Sequence, residues 1–155
     1  MKLSIHSIGK PTLNWQIEAL TTYKQRIKHF AHIEEFVSTT PKRNRNTSTD
    51  KLMEKEYQLL VESIPESAVV ILLDETGKTM TSQQFSTQFS NWRMQSQRIA
   101  FLIGGPDGHH IKTRQQAHHN LSLSSFTLPH IFARIVLYEQ IYRAFTLTNN
   151  HPYHR

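Results

Sequence analysis

Cysteine is absent from all 155 residues, so the chain has no disulfide framework and no thiol nucleophile, and nothing in it points to an oxidising compartment. A long apolar run is missing from the N-terminus: "MKLSIHSIGK" has neither the core of a signal peptide nor the start of a membrane span, and a cytoplasmic protein is expected. The sequon at Asn46 then reads as a loop and not as a sugar site. There is no internal repeat, no low-complexity tract and no compositional break, so residues 1–155 are expected to form a single domain, long enough to bury a core without metal or disulfide staples. Acid is scarce in two places. "PKRNRN" at 41–46 holds three cations and no carboxylate, and no acid occurs from Gln140 to Arg155. With 18 Lys and Arg against 12 Asp and Glu, the net charge of +6 admits a phosphate-rich partner such as RNA, with a solvated basic loop as the plain alternative.

Several catalytic signatures are missing as well. "TGKT" at 76–79 would end a phosphate-binding loop only with a glycine where Leu72 stands, and "IGGPDG" fails the dinucleotide pattern because Ile103 occupies the first glycine position. No G-x-S-x-G elbow exists, so a covalent serine mechanism has no support. Ten histidines invite a metal site, yet the pairs 109–110 and 118–119 diverge, and His151 with His154 has no carboxylate or thiolate nearby. No metal is expected.

The hydrophobic pattern alternates strands and helices. "KLSIHSIG" reads as a first strand, Asn14 to Phe30 as a helix, "IEEFVST" as a second strand, and Thr49 or Asp50 as the cap of a helix running to Leu60. The unbroken "AVVILLD" is a strand covered on both faces, followed by "ETGKT" as a loop. Thr81 with Gln84 makes a capping box for a helix carrying Phe85, Phe89 and Trp92. "RIAFLIGG" is another buried strand, "PDGHHIKTRQQAHHN" a turn and polar helix, "LSLSSFTL" a short strand, and Pro129 to Leu147 a long helix. The order implies an α/β fold on a largely parallel sheet. Three loops, "GGPDG", "ETGKT" and "SLSSFTLPH", fall at the carboxyl edge where such sheets bind ligands. The last helix is apolar around most of its circumference, which calls either for a homodimer partner or for a helix sandwiched inside the chain.

"LLDETGK", "FLIGGPDG", "SLSSFTLPH", the stretch R-x-x-L-Y-E-Q-I-Y-R-A from Arg134 to Ala144, and the terminal "NNHPYHR" together resemble the small SPOUT-type methyltransferases that modify N3 of pseudouridine in 23S rRNA. The resemblance runs through the chain in order and is dense from Leu72 onward. It implies an α/β SPOUT-type sheet with helices on both faces, a C-terminal trefoil knot, and a homodimer. S-adenosyl-L-methionine is the implied methyl donor, enclosed by Leu73, Gly104, Leu123, Ser124, Ser125, Phe126, Thr127 and Leu128. The tail residues His151, Tyr153, His154 and Arg155 are expected to close over the cofactor and grip RNA. In that scheme His154 or Tyr153 touches the target base, and Arg155 or Arg143 a phosphate or developing charge, across the dimer interface. "HH" at 109–110 departs from the smaller or apolar residues expected in relatives. With no separate RNA-binding domain, the dimer surface including "PKRNRN" is left to recognise 23S rRNA by the shape of an assembled ribosome.

Overall fold

A computed structural model describes residues 1–149 and 151–154, with only the backbone of His154. Five strands, β1 (Lys2–Ile8), β2 (His32–Ser38), β3 (Val69–Thr79), β4 (Arg98–Ile103) and β5 (His119–Ser122), pair in parallel in the order β2-β1-β4-β3-β5. Their connections carry α1 (Asn14–Ile27), α2 (Thr49–Val61), α3 (Ser82–Gln95) and α4 (Ile111–Gln116), and α5 (His130–Thr148) follows β5.

Alternation along the strands divides the core between two faces. Leu3, Ile5, Ile71, Ile99 and Phe101 meet the helical side chains Leu20, Phe85, Phe89, Trp92, Leu137 and Ile141 on one face. Val70, Leu72 and Leu102 form a smaller cluster with Ile64 and Ala117 on the other. Both faces of the central strands are therefore dry, which is why "AVVILL" and "RIAFLI" show no polar alternation. Each such side chain contributes on the order of 2 kcal/mol by burial.

The capping box at Thr81 is present: the Gln84 N–H donates to Thr81 Oγ1 at 3.2 Å, and Gln84 Oε1 accepts from the Thr81 N–H at 2.9 Å. The cap of α2 is Ser48 and not Thr49 or Asp50, because the Ser48 hydroxyl is the one that reaches the Lys51 N–H. Two loop boundaries also differ from the sequence reading. "ETGKT" continues β3 as far as Thr79, and only His119–Ser122 is strand where "LSLSSFTL" suggested one; residues 123–128 are irregular.

The long apolar helix α5 is largely sandwiched inside the chain, against α1 and α3. Ile131, Tyr138, Tyr142 and Phe145 are buried, and so are Leu137, Ile141 and Ala144. What stays outside is narrower: Phe132 is 45% exposed, Ile135 and Val136 are half-buried, and the Phe132 ring lies 5.4 Å from that of Trp15, also 45% exposed. One ion-pair network locks α5 in place. The Glu35 carboxylate of β2 accepts hydrogen bonds from the Arg134 guanidinium, the Lys24 ammonium and, at 2.6 Å, the Tyr138 hydroxyl.

Candidate active site

A concavity forms where the parallel strands stop, and a break in β3 shapes it. Leu121 of β5 pairs first with Leu73 and again with Lys78, so Asp74–Gly77 bulge out between the two pairings. The bulge turns Asp74 and Glu75 toward the concavity. Gly77 permits the return: a Cβ there would lie 2.6 Å from the Leu121 carbonyl carbon and 2.8 Å from the Ser122 nitrogen, both fixed backbone atoms.

The second wall follows β4. Gly105 and Gly108 bridge across a turn closed by the Gly108 N–H and the Gly105 carbonyl at 3.2 Å, and Gly108 takes φ +83°, a conformation that favours glycine. His109 lies buried behind the turn. Its Nε2 is 2.9 Å from the Leu73 carbonyl, which can only accept, so the proton sits on Nε2 and the ring ties β3 to the β4 loop. Burial pushes its pKa down against the smaller opposing pull of that carbonyl, which leaves the ring neutral near pH 7, and its Nδ1 has no partner among the described residues.

Residues 123–128 form the third wall. The Ser122 hydroxyl donates to the Ser124 carbonyl at 2.9 Å, the Phe126 N–H donates to Ser124 Oγ at 2.9 Å, and the Thr127 hydroxyl reaches Glu75 Oε2 at 3.3 Å. The first turn of α5 closes the space with His130 and Ala133. The enclosed volume is about 590 Å³, within the range of small-molecule sites.

The charges are arranged asymmetrically around this space. Burial would raise the Asp74 pKa, but the Thr76 N–H and hydroxyl, at 2.9 and 2.8 Å, and Arg114 Nε, at 2.9 Å, lower it, so Asp74 is anionic and paired. His130 is held neutral, by burial first and by Arg134 second.

Of the eight residues expected around a cofactor, Leu73, Gly104, Leu123, Ser124, Phe126, Thr127 and Leu128 line this one space, and Ser125 does not. Phe126 is 83% exposed, at the lip and not in the core. Of the tail, Tyr153 lies elsewhere. Tyr153 stacks edge-on against Tyr142 with ring centroids 4.7 Å apart, under the guanidinium groups of Arg143 and Arg26, and its hydroxyl lies 3.3 Å from Glu139 Oε1. Burial, then Tyr23 and Glu139, push its pKa up to about 12, so within one chain this phenol is no base. Arg143 is paired with Glu139 at 2.7 Å. Arg155 and the His154 side chain lie outside the described residues.

Sequence reasoning overlooked Asp74, His109 and Arg114 as lining residues, whereas Asp107 and His130 fall within the loops it placed at this edge. A charged residue ending an apolar strand was the available signal for Asp74; Arg114 comes in from a polar helix that carries no such mark. Among the described residues no three His, Asp or Glu side chains group as a metal site, and no helix is long and apolar enough to cross a membrane.

The chain matches the family model described as "Predicted SPOUT methyltransferase" over residues 1–154. It is 38% identical over 155 residues to a protein of Nitrosomonas eutropha named "Ribosomal RNA large subunit methyltransferase H", covering 100% of this chain and 99% of that one. A protein of the same name from Marinomonas sp. is 38% identical over 156 residues, with 100% of both chains covered. Among solved structures, a probable methylase family protein from Haemophilus influenzae Rd KW20 superposes with a TM-score of 0.56 at 10% identity, covering 99% of this chain and 70% of that one, which is a likeness of fold.

Proposed function

Because this chain belongs to the SPOUT methyltransferase family, we propose that it transfers a methyl group from S-adenosyl-L-methionine to N3 of a pseudouridine in 23S rRNA, acting as a knotted homodimer on the assembled ribosome. The observation that carries the reading is the pocket itself: separate loops from the ends of β3, β4 and β5 bring seven of the eight expected cofactor residues around one nucleoside-sized space. The fit is chemical as well as spatial. Leucine side chains offer apolar faces for a purine, while the backbone of 104–108 and 123–128 offers polar edges.

Bound there, S-adenosyl-L-methionine supplies an electrophilic methyl group on a sulfonium. Leu73, Gly104 and the 123–128 loop hold and orient it, and the neutral His109 fixes the spacing between two of these walls. Acceptance at a ring nitrogen requires loss of the N3–H proton and an in-line approach, so positioning is the larger part of the task.

The homodimer is supported by a distance. Ala133 lines the pocket, and Arg143 stands ten residues further along the same helix, about 15 Å at 1.5 Å per residue. Tyr153 packs beside Arg143, so these two side chains lie away from the pocket of their own chain, and in this reading a second copy brings Tyr153, His154, Arg155 and Arg143 to it. The exposed Trp15–Phe132 patch is apolar surface available to that copy.

The test is methyl transfer to ribosomes that lack this methyl group, mapped by mass spectrometry, with uridine-containing ribosomes in parallel. A mark at N3 of the pseudouridine, weak or absent on uridine, is expected. Removal of residues 151–155 is expected to leave cofactor binding within about threefold and to abolish transfer; unchanged turnover sinks the role of the tail. Cofactor binding without a mark sinks the acceptor, and no binding sinks the enzymatic reading.

A further inference from the structure

We propose that Glu56 is a positioning residue for the pocket: from α2, which contributes none of its lining, the carboxylate seats Gly105 and holds the 104–108 turn in its working shape. The functional part of this inference rests on the reading of the pocket as the cofactor site.

Glu56 is 4% exposed, an uncommon place for a carboxylate. It lies directly beneath the turn: a Cβ on Gly105 would come within 2.4 Å of Glu56 Oε1 and 2.9 Å of its Cδ. Burial pushes the Glu56 pKa up, while the Gly105 N–H pulls it back down; Asp107 raises it and Arg43 lowers it. Apart from burial, the influences named come from the turn or from the side chain clamped to it, since Arg43 of the basic connector pairs with Asp107. Oε2 has no partner among the described residues.

A leucine at 56 would fill the same volume without desolvating a charge, so packing alone does not account for an acid here. What an acid adds is a carboxylate oxygen close against Gly105, where the Gly105 N–H offsets part of the effect of burial. Gly105 closes the turn through its carbonyl, which accepts from the Gly108 N–H, and the same turn presents Gly104 and Asp107 to the pocket. Glycine at 105 is then explained by the carboxylate and not by a ligand. The clamp also gives part of "PKRNRN" a role that charge counting missed: Arg43 is committed to the turn, whereas Lys42 and Arg45 are exposed with no ion-pair partner among the described residues.

The experiment uses the full chain grown with glycine carrying carbon-13 at the carbonyl and nitrogen-15 at the amide. Of the five glycines only Gly105 follows another glycine, so its amide identifies itself by coupling to a labelled carbonyl. In the wild type that amide is expected to exchange with solvent at least about tenfold more slowly than an open amide, and in Glu56→Leu to lose that protection, as a hydrogen bond of ordinary strength requires. Glu56→Gln, which keeps an acceptor oxygen, is expected to stay within about threefold of wild type. In calorimetric titration with S-adenosyl-L-methionine, Glu56→Leu is expected to raise Kd about tenfold while kcat at saturating cofactor changes less than about threefold.

An unprotected Gly105 amide in the wild type overturns the proposal even if no variant folds. So does a folded Glu56→Leu protein with unchanged exchange, or one with lost protection but unchanged Kd. Protection that depends on Glu56 in a protein that binds no cofactor supports the seating of the turn and removes the reading of the pocket instead.

Discussion

Consider Glu35 replaced by alanine. The Arg134 side chain is 4% exposed, its Nε and Nη1 have no partner, and Glu35 is its sole carboxylate among the described residues. Removal therefore strands a buried guanidinium, a change that costs about 3–5 kcal/mol, and it leaves the Tyr138 hydroxyl without its acceptor as well. At about 2.1 cal/mol/K of unfolding entropy per residue, the 155-residue chain melts with roughly 0.33 kcal/mol/K, so Tm should fall by about 10–15 °C. Proton linkage gives an independent reading of the same site. Burial alone would raise the Glu35 pKa, but hydrogen bonds from Lys24, Tyr138 and Arg134, with the charge of Arg134, draw it down from 4.5 to about 2. A depressed carboxyl stabilises the fold above its unfolded pKa, and that stability is lost as pH falls through the window from about 5 to 2. The shift corresponds to at most about 3 kcal/mol. Urea unfolding from pH 7 down to pH 3 tests both statements. Glu35→Gln should flatten the acid limb of the stability curve, and the double variant Glu35→Leu with Arg134→Met should recover most of the loss by removing the stranded charge. A Glu35→Ala cost below about 1 kcal/mol, or an acid limb unchanged in Glu35→Gln, refutes the network as the lock on α5.

Three further outcomes are expected. Gly77→Ala forces a Cβ onto the backbone of Leu121 and Ser122, which cannot rotate away; a loss of about 2 kcal/mol or more by urea unfolding and a collapse of cofactor affinity should follow, and wild-type stability would show that the bulge of β3 yields. Phe132→Asp places a charge in the exposed patch against Trp15; if this patch seats the proposed second copy, sedimentation should show a dimeric wild type and a monomeric variant with loss of methyl transfer, and an equal mass for the two would remove the patch from the interface. The double variant Lys42→Ala with Arg45→Ala removes two exposed cations; ribosomal RNA binding should weaken, with the log K against log salt slope shallower by about 1.5, whereas an unchanged slope removes these side chains from the RNA surface.

The sheet and most of its helices were legible because burial imposes period: two-faced burial wrote "AVVILL" and "RIAFLI", and a local capping box wrote the start of α3. Apart from the cap of α2, which falls one residue earlier at Ser48, the errors fell where distant backbone intervenes. Glycine and lysine in "ETGKT" argue for a loop, yet β5 runs alongside and extends β3 through Thr79. The apolar excess of α5 left two explanations open, and the packing of α1 and α3 around it accounts for all but the strip near Phe132.

By itself the sequence determined the class of fold, the carboxyl edge as the place where the loops gather around a concavity, and the family motifs at Leu73, Gly104 and 123–128, because each is a short-range pattern of burial, turn chemistry or residue identity. Only the tertiary structure decided that Asp74 and Arg114 share a wall, that His109 bridges two of the walls, that Glu56 lies under a turn 49 positions away at Gly105, and that Tyr153 sits far from the pocket of its own chain. Those relations join residues far apart in the chain, and their geometry is set by strand order and helix packing, which no local period encodes.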